Sequence, residues 1–322
     1  MAASVKYLTG DGAAIKDFLD KFDVRYFGAL NRSLHPPGAL ADFDDLGVLW
    51  SGDHVFEGVP ETLLLLRSKG KRIVFVTNNS TKSRQDYVKK LTAMGIEAGA
   101  DDVFGSSYSA AVYIARILKL PPGKDKVYVI GEAGVEVELG AEGVPFIGAT
   151  DPAFRRDITP ADFAGLADGS LLDPTVGAVL CGLDFHINYL KLAHGLHYLR
   201  RGAHFLATNT DSTLPMHHDL FLGAGSCSVP LANAVGAPPL SLGKPSQAMM
   251  DAVEGKFQLD RARTCMVGDR LNTDIKFGIE GKLGGTLHVL TGVNSKADWE
   301  AEDAIAVPAF YADKLSDLRE GA

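Results

Sequence analysis

Residues 72–80, Arg-Ile-Val-Phe-Val-Thr-Asn-Asn-Ser, hold the pattern that decides the fold. The run Ile73–Val76 is apolar and mostly β-branched without alternation, which predicts a strand buried on both faces. Before it, Pro60–Lys69 is a predicted helix, because Pro60 suits a first turn and Gly70 suits a C-terminal cap. Polar residues begin directly after the apolar run. The segment therefore predicts a helix followed by a buried strand whose carboxyl end carries hydrogen-bonding side chains.

The same order of buried strand and helix recurs along the chain. Further strands are predicted at Val127–Ile130, Val176–Cys181, His204–Ala207, Thr264–Val267 and Thr286–Leu290, and further helices at Asn188–Arg201 and Ser246–Phe257. Strands that alternate with helices predict an α/β fold with a parallel sheet. Ligands of such sheets bind beyond the carboxyl ends of the strands, so the residues after each apolar run are the functional candidates.

Composition excludes several classes of protein. The chain has 322 residues, of which 46% are hydrophobic and 22% charged, so it can bury a sizeable core. A formal charge of −8 without a basic run argues against a nucleic-acid partner. Apolar runs are too short to cross a membrane, and the opening residues MAASVKYLTGDG lack a signal-peptide pattern. Three unpatterned cysteines, Cys181, Cys227 and Cys265, are typical of reduced core residues, and we expect a cytoplasmic protein.

Four polar stretches follow predicted strands or open helices, and together they suit phosphate and metal chemistry. They are residues 42–50, 77–80, 243–246 and 268–274. Carboxylates hold Mg²⁺, a lysine adds a positive charge, and Thr and Asn donate hydrogen bonds to phosphate oxygens. Each stretch alone has a simpler interpretation. Residues 77–80 would suit a helix N-cap, Lys244 a solvated loop, and Gly268-Asp269 a common turn.

Taken in order, these stretches resemble the haloacid dehalogenase-like phosphatases. Within that superfamily the chain is similar to the eukaryotic 4-nitrophenylphosphatase and phosphoglycolate phosphatase family. The motifs that carry the resemblance are GVLW at 47–50, FVTNNSTKSR at 75–84, GLD at 182–184, ATNTD at 207–211, GKPS at 243–246 and MVGDRLNTDI at 266–275. No single motif is specific, whereas their combination in this order is.

The resemblance implies a doubly wound, Rossmann-like parallel-sheet core with an inserted α/β cap domain of type C2. We expect the core at residues 1–103 and 213–322, and the cap at residues 104–212. The stretch Gly140–Pro174 is rich in Gly, Pro, Asp and Ala, which predicts loops and turns and fits an inserted domain. In the family, the cap selects the substrate and often forms a homodimer.

The resemblance also implies roles for particular residues in a two-step phosphoryl transfer through an aspartyl-phosphate. Asp44 falls on the nucleophile, and its carboxylate, the backbone carbonyl of Leu46 and the carboxylate of Asp269 would hold Mg²⁺. Asp274 would support the water shell of the metal or Lys244, which offsets charge on the nucleophile and the phosphate. Thr77, the backbone N–H of Asn78, and Asn79 would bind the transferring phosphoryl group.

The first motif departs from the family pattern Asp-x-Asp-Gly-Val-Leu-Trp. Counting back from Trp50 places Asp44 on the nucleophile and Leu46 on the general acid/base. In the alternative register, through Asp42 and Asp44, two extra residues must fit before Gly47, so we prefer the first. Upstream, residues 24–46 include Pro36, Pro37 and Gly38, which make a poor central strand. Two explanations stay open: a misplaced splice junction, or a genuine insertion that still supplies Asp44. Sequencing the transcript across this segment distinguishes them.

The sequence therefore predicts a Mg²⁺-dependent phosphomonoesterase that acts on small phosphorylated metabolites such as 2-phosphoglycolate, with 4-nitrophenyl phosphate as an assay substrate. The alternative is a catalytically impaired, phosphatase-like binding protein, because Leu46 cannot transfer a proton. We expect no nucleic-acid or membrane partner, and a homodimer through the cap.

Overall fold

Two parallel sheets, each covered by helices on both faces, organise the chain. The computed structural model describes residues 5–28, 47–51, 54–216 and 219–321. The strands are β1 (Lys6–Tyr7), β2 (Val24–Gly28), β3 (Trp50–Ser51), β4 (His54–Val55), β5 (Arg72–Thr77), β6 (Val103–Gly105), β7 (Lys126–Ile130), β8 (Phe146–Gly148), β9 (Val176–Cys181), β10 (His204–Ala207), β11 (Thr213–Met216), β12 (Asp219–Leu222), β13 (Leu240–Ser241), β14 (Thr264–Gly268), β15 (Gly285–Val289) and β16 (Phe310–Ala312).

The helices connect successive strands and lie against the faces of the sheets. They are α1 (Gly12–Lys21), α2 (Val59–Ser68), α3 (Arg84–Ala93), α4 (Ser106–Val112), α5 (Ala133–Ala141), α6 (Pro160–Asp168), α7 (Tyr189–Leu199), α8 (Ala224–Val235), α9 (Gln247–Phe257), α10 (Lys276–Glu280) and α11 (Lys296–Glu300). A π-helical turn, Leu271–Ile275, precedes α10. The predicted α/β fold is confirmed, and the strands and helices that the sequence indicated are present within one to two residues of their predicted bounds.

The first sheet has the order β1-β16-β15-β14-β2-β5-β6, with every pair parallel. Successive side chains of β5 point to opposite faces of this sheet. Ile73 and Phe75 enter one hydrophobic cluster with α1 and α2, whereas Val74 and Val76 enter a second cluster with α9 and α10. Burial on both faces is the physical reason for the unbroken apolar run.

The centre of the first sheet corrects one expectation. We predicted that residues 24–46 would be unsuited to a central strand, yet β2 lies between β14 and β5 and pairs with both. The prolines at positions 36 and 37 lie well beyond its last residue, Gly28, so they do not interrupt its hydrogen bonds. A strand of five residues is long enough to fill the position.

The second sheet has the order β13-β10-β9-β7-β8, again with every pair parallel. Because β13 pairs with β10, this sheet extends past residue 212, where the sequence placed the end of the cap. The stretch Gly140–Pro174 is not composed only of loops and turns. It contains β8 and also α6, whose first turn is fixed by a capping box between Thr159 and Asp162.

The expectation for the cysteines agrees with the structure. Cys181, Cys227 and Cys265 are all buried and unbridged, as the sequence predicted. Within the described ranges, helices long and apolar enough to span a bilayer are absent.

Candidate active site

The carboxyl edge of the first sheet brings three distant stretches of chain together. Thr77 is the last residue of β5, and Asp269 directly follows β14, on the other side of β2. Lys244 follows β13 of the second sheet and reaches this edge, where its Nζ donates to the carbonyl oxygen of Val76 at 2.9 Å. Residues 77, 244 and 269 are thus neighbours because of the topology of the sheets.

Lys244 is a buried cation, not the solvated loop lysine of the simpler interpretation. Its side chain is 3% exposed, and Nζ donates to Oδ1 of Asp274 at 2.6 Å. A buried ammonium group requires such a partner because desolvation of an unpaired charge is costly. The ion pair fixes a positive charge beside Val76, at the end of β5.

Asn78 holds the backbone of Lys244 in place. Its Oδ1 accepts the backbone N–H of Lys244 at 2.7 Å, and its Nδ2 donates to the Lys244 carbonyl at 2.9 Å. The same Nδ2 donates to Oδ2 of Asp211 at 3.0 Å. The side chain of Asn78 therefore joins the ends of β5, β10 and β13. The role of its backbone N–H, the group that the resemblance assigns to phosphate, stays a prediction.

Thr77 and Asn79 also make local contacts. The Thr77 hydroxyl lies 3.0 Å from the Tyr87 hydroxyl and accepts the backbone N–H of Asn79 at 3.1 Å. Oδ1 of Asn79 accepts hydrogen bonds from the backbone and hydroxyl of Thr81. The N-cap of the next helix, α3, is Ser83, so the simpler interpretation of residues 77–80 as a helix cap is wrong. These contacts shape a polar loop between β5 and α3.

Two carboxylates, Asp269 and Asp274, lie side by side in the interior. Asp274 accepts the backbone N–H groups of Asp269 and Arg270 with Oδ2, while its Oδ1 receives Lys244. Gly268 leaves room for it, because a Cβ there would lie 2.1 Å from Cβ of Asp274. Asp274 therefore joins the lysine to the loop that carries Asp269.

Asp269 has an unsatisfied oxygen that fits a metal ion. Its Oδ2 accepts the N–H of Val293 at 3.2 Å, whereas its Oδ1 is buried and lacks a hydrogen-bond partner among the described residues. Burial, followed by the negative charge of Asp274, raises the pKa of Asp269 to about 7. When Asp269 is ionised, two buried carboxylates against one ammonium leave a net negative charge, and Mg²⁺ prefers such oxygens. The donor set thus fits a hard divalent cation.

The loop at residues 290–295 encloses Asp269 from its far side. Its Asn294 donates a backbone N–H to the carbonyl of Asp269 at 3.2 Å, and its Thr291 donates to the carbonyl of Gly47 at 3.2 Å. Gly292 packs so closely that a Cβ there would lie 2.1 Å from the Asp269 side chain. The loop links Asp269 to Gly47, the residue at which the described chain resumes.

The first-motif predictions concern residues outside the described ranges. Asp44, the predicted nucleophile, and Leu46, at the predicted acid/base position, both fall between Gly28 and Gly47. Gly28 is paired with Val76 at the end of β5, and Gly47 contacts the loop around Asp269. Both flanking residues therefore border the site, and the roles of Asp44 and Leu46 stay predictions.

Sequence reasoning named neither Asp211 nor Arg270 as a site residue, although it expected substrate selectivity in loops that include residues 209–214. Asp211 and Arg270 line one cleft together with Asn78, Asn79, Leu183 and Leu214. Burial raises the pKa of Asp211, and its contact with Asn78 fixes its orientation. Both residues stood inside the quoted motifs ATNTD and MVGDRLNTDI, so their position after β10 and β14 was the available signal.

A second acidic cluster, in the loops that follow β7 and β9 of the second sheet, forms ion pairs with neighbouring cations. Glu132, Asp184 and His186 bring ligand atoms within 4.8 Å of one another. Arg155 pairs with Glu132, and the buried Lys191 donates to Asp184 at 2.5 Å. These cations offset the charge that would attract a metal ion, so the cluster stabilises the loop after β9.

Comparison with known proteins points to one family. A family model described as haloacid dehalogenase-like hydrolase matches residues 41–145, and one described as HAD-hydrolase-like matches residues 241–318. The chain is 45% identical over 308 residues to a 4-nitrophenylphosphatase of Schizosaccharomyces pombe, covering 95% of this chain and 96% of that protein. It is 43% identical over 281 residues to phosphoglycolate phosphatase 1A, chloroplastic, of Arabidopsis thaliana, covering 86% and 75%.

A solved structure shares the architecture. The crystal structure of a glycerol phosphate phosphatase from Mycobacterium tuberculosis in complex with magnesium matches with a TM-score of 0.72 and 27% identity. The match covers 93% of this chain and 77% of the solved chain. The three similar proteins are therefore named for three different phosphate esters: 4-nitrophenyl phosphate, phosphoglycolate and glycerol phosphate.

Proposed function

The chain belongs to the haloacid dehalogenase-like hydrolase family, and from this membership we propose that it is a Mg²⁺-dependent phosphatase of small phosphorylated metabolites. The observation that carries the proposal is the meeting of Lys244, Asp274 and Asp269 at the carboxyl edge of the first sheet. A phosphate dianion needs positive charge at the bottom of its site, and a hydrolase needs it next to the reacting carboxylate.

Asp269 would hold the metal ion through its unsatisfied carboxylate oxygen. The family resemblance adds the carboxylate of Asp44 and the backbone carbonyl of Leu46 as further ligands. When bound, Mg²⁺ supplies positive charge that offsets the repulsion between a carboxylate nucleophile and a phosphate dianion. Lys244 contributes a second positive charge, and Asp274 holds its ammonium group in position.

The proposed reaction has two steps. An oxygen of Asp44 forms a bond to phosphorus while the bond to the ester oxygen breaks, which gives an aspartyl-phosphate and the leaving alkoxide or phenolate. With Leu46 at the acid/base position, an alkoxide must take its proton from solvent. Water then attacks phosphorus, which releases inorganic phosphate and restores the carboxylate. Leu46 cannot donate a proton to the leaving oxygen, so the first step should be slow with poor leaving groups. It also cannot accept a proton from water, so hydrolysis of the aspartyl-phosphate should be slow with every substrate.

We propose 2-phosphoglycolate-like compounds as the natural substrates and 4-nitrophenyl phosphate as a convenient assay substrate. The names of the similar proteins support this substrate class. The test is release of phosphate from both compounds by the purified protein in Mg²⁺ and in EDTA. Asp269→Asn should abolish the Mg²⁺-dependent release, whereas Asp303→Asn, at an exposed position, should retain it.

A folded protein that binds phosphate but releases none would contradict the proposal and favour a binding role. The Leu46→Asp variant must be assayed in parallel, because it restores the acid/base group of the family pattern. If neither form turns over either compound in Mg²⁺, the chain is not a phosphatase of this class.

We also propose a homodimer formed through the cap. Helices α6, α7 and α8 border an apolar groove on which Phe163 and Tyr189 are 52% and 62% exposed. Large exposed apolar side chains around one groove are typical of association surfaces. Sedimentation velocity should show a dimer that Phe163→Glu dissociates, whereas Ile279→Glu, at an exposed position in α10, leaves it intact. A monomer at all concentrations would refute the dimer.

The remaining proposals concern location and other partners. Buried, unbridged cysteines support a cytoplasmic location. The formal charge of −8 supports the expectation that the protein binds neither nucleic acid nor anionic membranes.

A further inference from the structure

Arg270 directly follows the candidate metal ligand Asp269, and its guanidinium lacks a charged partner in the part of the chain that the structure describes. Its guanidinium has neither a hydrogen bond nor an ion pair with any described residue, whereas Arg67, Arg84, Arg155 and Arg261 each pair with a carboxylate. It is the one cation among the described residues that line the cleft next to Asn78 and Asn79. An unpaired guanidinium at the mouth of a phosphate site is available to a ligand.

The backbone of Arg270 is rigidly held. Its N–H donates to Oδ2 of Asp274 at 3.2 Å, and its carbonyl accepts the N–H of Ile275 at 3.0 Å. The acceptor of the first bond, Asp274, is the carboxylate that also accepts a hydrogen bond from Nζ of Lys244. The backbone of Arg270 is therefore held at a fixed position relative to Lys244 and Asp269. A fixed backbone favours precise placement of the guanidinium against a second group of the ligand.

Asp211, another residue that lines the cleft, is held by a hydrogen bond from within the protein. Asp211 feels the positive charge of Arg270, which lowers its pKa against the larger effect of burial, but no ion pair forms between them. Its Oδ2 is instead held by Nδ2 of Asn78. The remaining lining includes the apolar side chains of Leu183 and Leu214. Because Asn78 contacts Lys244 and also lines this cleft, the cleft can receive the other end of a substrate whose phosphoryl group lies beside Lys244 and Asp269.

We infer that Arg270 is a specificity-determining residue that binds a second anionic group, a carboxylate, on a short phosphorylated substrate. A guanidinium presents paired N–H donors that match the two oxygens of a carboxylate. The inference rests on the proposed phosphatase function and deepens it, because it selects phosphorylated acids over phosphorylated alcohols at the same site. Arg270 would touch the part of the substrate that does not react.

The kinetic test compares 2-phosphoglycolate with glycerol 3-phosphate, which has hydroxyl groups in place of the carboxylate. Their ratio of kcat/KM should fall about 10- to 100-fold in Arg270→Gln, because a charge-assisted hydrogen-bond pair is lost. Arg270→Lys keeps the charge without the paired donors and should give an intermediate ratio. Arg200→Gln, at an exposed position at the end of α7, is the control and should leave the ratio unchanged.

An equal loss on both substrates would overturn the inference, because Arg270 would then act on the phosphoryl group or the metal loop. Isothermal titration supplies a readout that does not require turnover. In the Mg²⁺-loaded protein, Arg270→Gln should weaken binding of 2-phosphoglycolate at least tenfold relative to inorganic phosphate.

These measurements separate the two proposals. If the wild-type and Leu46→Asp proteins release no phosphate from any substrate, the proposed function fails, and the titration still decides the role of Arg270. An unchanged ratio of affinities, or binding of neither ligand, would overturn the inference about Arg270.

Discussion

The ammonium group of Lys244 lies 2.6 Å from Oδ1 of Asp274, and both side chains are almost fully buried. Asp274 uses its second oxygen to accept the backbone N–H groups of Asp269 and Arg270. One carboxylate therefore fixes the lysine, the candidate metal ligand and the residue proposed to select the substrate. Loss of this carboxylate should disturb all three.

Asp274→Asn should lower the free energy of unfolding by about 3–5 kcal/mol, because it leaves a buried ammonium group without a countercharge. Urea denaturation measures the change. Asp303→Asn is the matched control at an exposed site, and its effect should stay within about 0.5 kcal/mol. The double variant Lys244→Met/Asp274→Leu should be more stable than Asp274→Asn alone, since it removes both charges. Equal stability of Asp274→Asn and Asp303→Asn would contradict the role of the ion pair.

Gly292→Ala should weaken Mg²⁺ binding about 10- to 100-fold, because a Cβ at this position would lie 2.1 Å from the Asp269 side chain and displace it. The dependence of Tm on Mg²⁺ concentration reports the affinity. Gly255→Ala, in α9, places its Cβ in open space and should keep the wild-type Mg²⁺ dependence. That control should also gain about 0.5–1 kcal/mol of stability from the helix preference of alanine. Unchanged Mg²⁺ affinity in Gly292→Ala would show that the loop does not position Asp269.

In EDTA, the protein should lose stability as the pH rises from about 4 to about 7. The pKa of Asp269 is about 7 in the folded chain, against an ordinary value of about 3.9 in the unfolded chain. Between these values the folded state binds more protons, so the free energy of unfolding falls with rising pH. Mg²⁺ should therefore raise Tm more at pH 8 than at pH 5, where protons compete with the metal ion.

Asp269→Asn is the control for this pH dependence. It keeps the shape of the side chain but cannot ionise, so the contribution of Asp269 to the slope and the larger effect of Mg²⁺ at pH 8 should both disappear. A Mg²⁺-induced rise in Tm that is the same at both pH values in the wild-type protein would argue against Asp269 as the metal ligand.

Leu46→Asp should increase turnover of glycerol 3-phosphate by about 10²–10⁴-fold, because it supplies the missing proton transfer. The gain on the bond-breaking step of 4-nitrophenyl phosphate should be smaller, since a nitrophenolate leaves without a proton. Single-turnover release of nitrophenolate isolates that step from hydrolysis of the aspartyl-phosphate. Leu46→Asn, of similar shape but unable to transfer a proton, is the control. Equal gains with both substrates in the bond-breaking step would contradict this account.

Local patterns in the sequence were sufficient to predict the strands and their surroundings. The runs at residues 73–76 and 264–267 are continuous and apolar because parallel strands are buried on both faces, and that requirement is visible residue by residue. One local signal was overlooked: Thr159-Pro160 followed by Asp162 is a capping-box pattern, and it starts α6. The short central strand β2 has a weak local signal, because prolines and a glycine follow it within the same stretch of sequence.

The sequence alone determined the fold class, the order of the motifs and the polar character of the strand ends, since these depend on neighbours along the chain. Only the tertiary structure decided that Asn78 holds Lys244, that Asp274 is shared between Lys244 and the Asp269 loop, and that the guanidinium of Arg270 has no ion-pair partner among the described residues. Those contacts join residues up to 166 positions apart, as between Asn78 and Lys244. Burial and pairing of a charge depend on which strands become neighbours, and no local pattern contains that information.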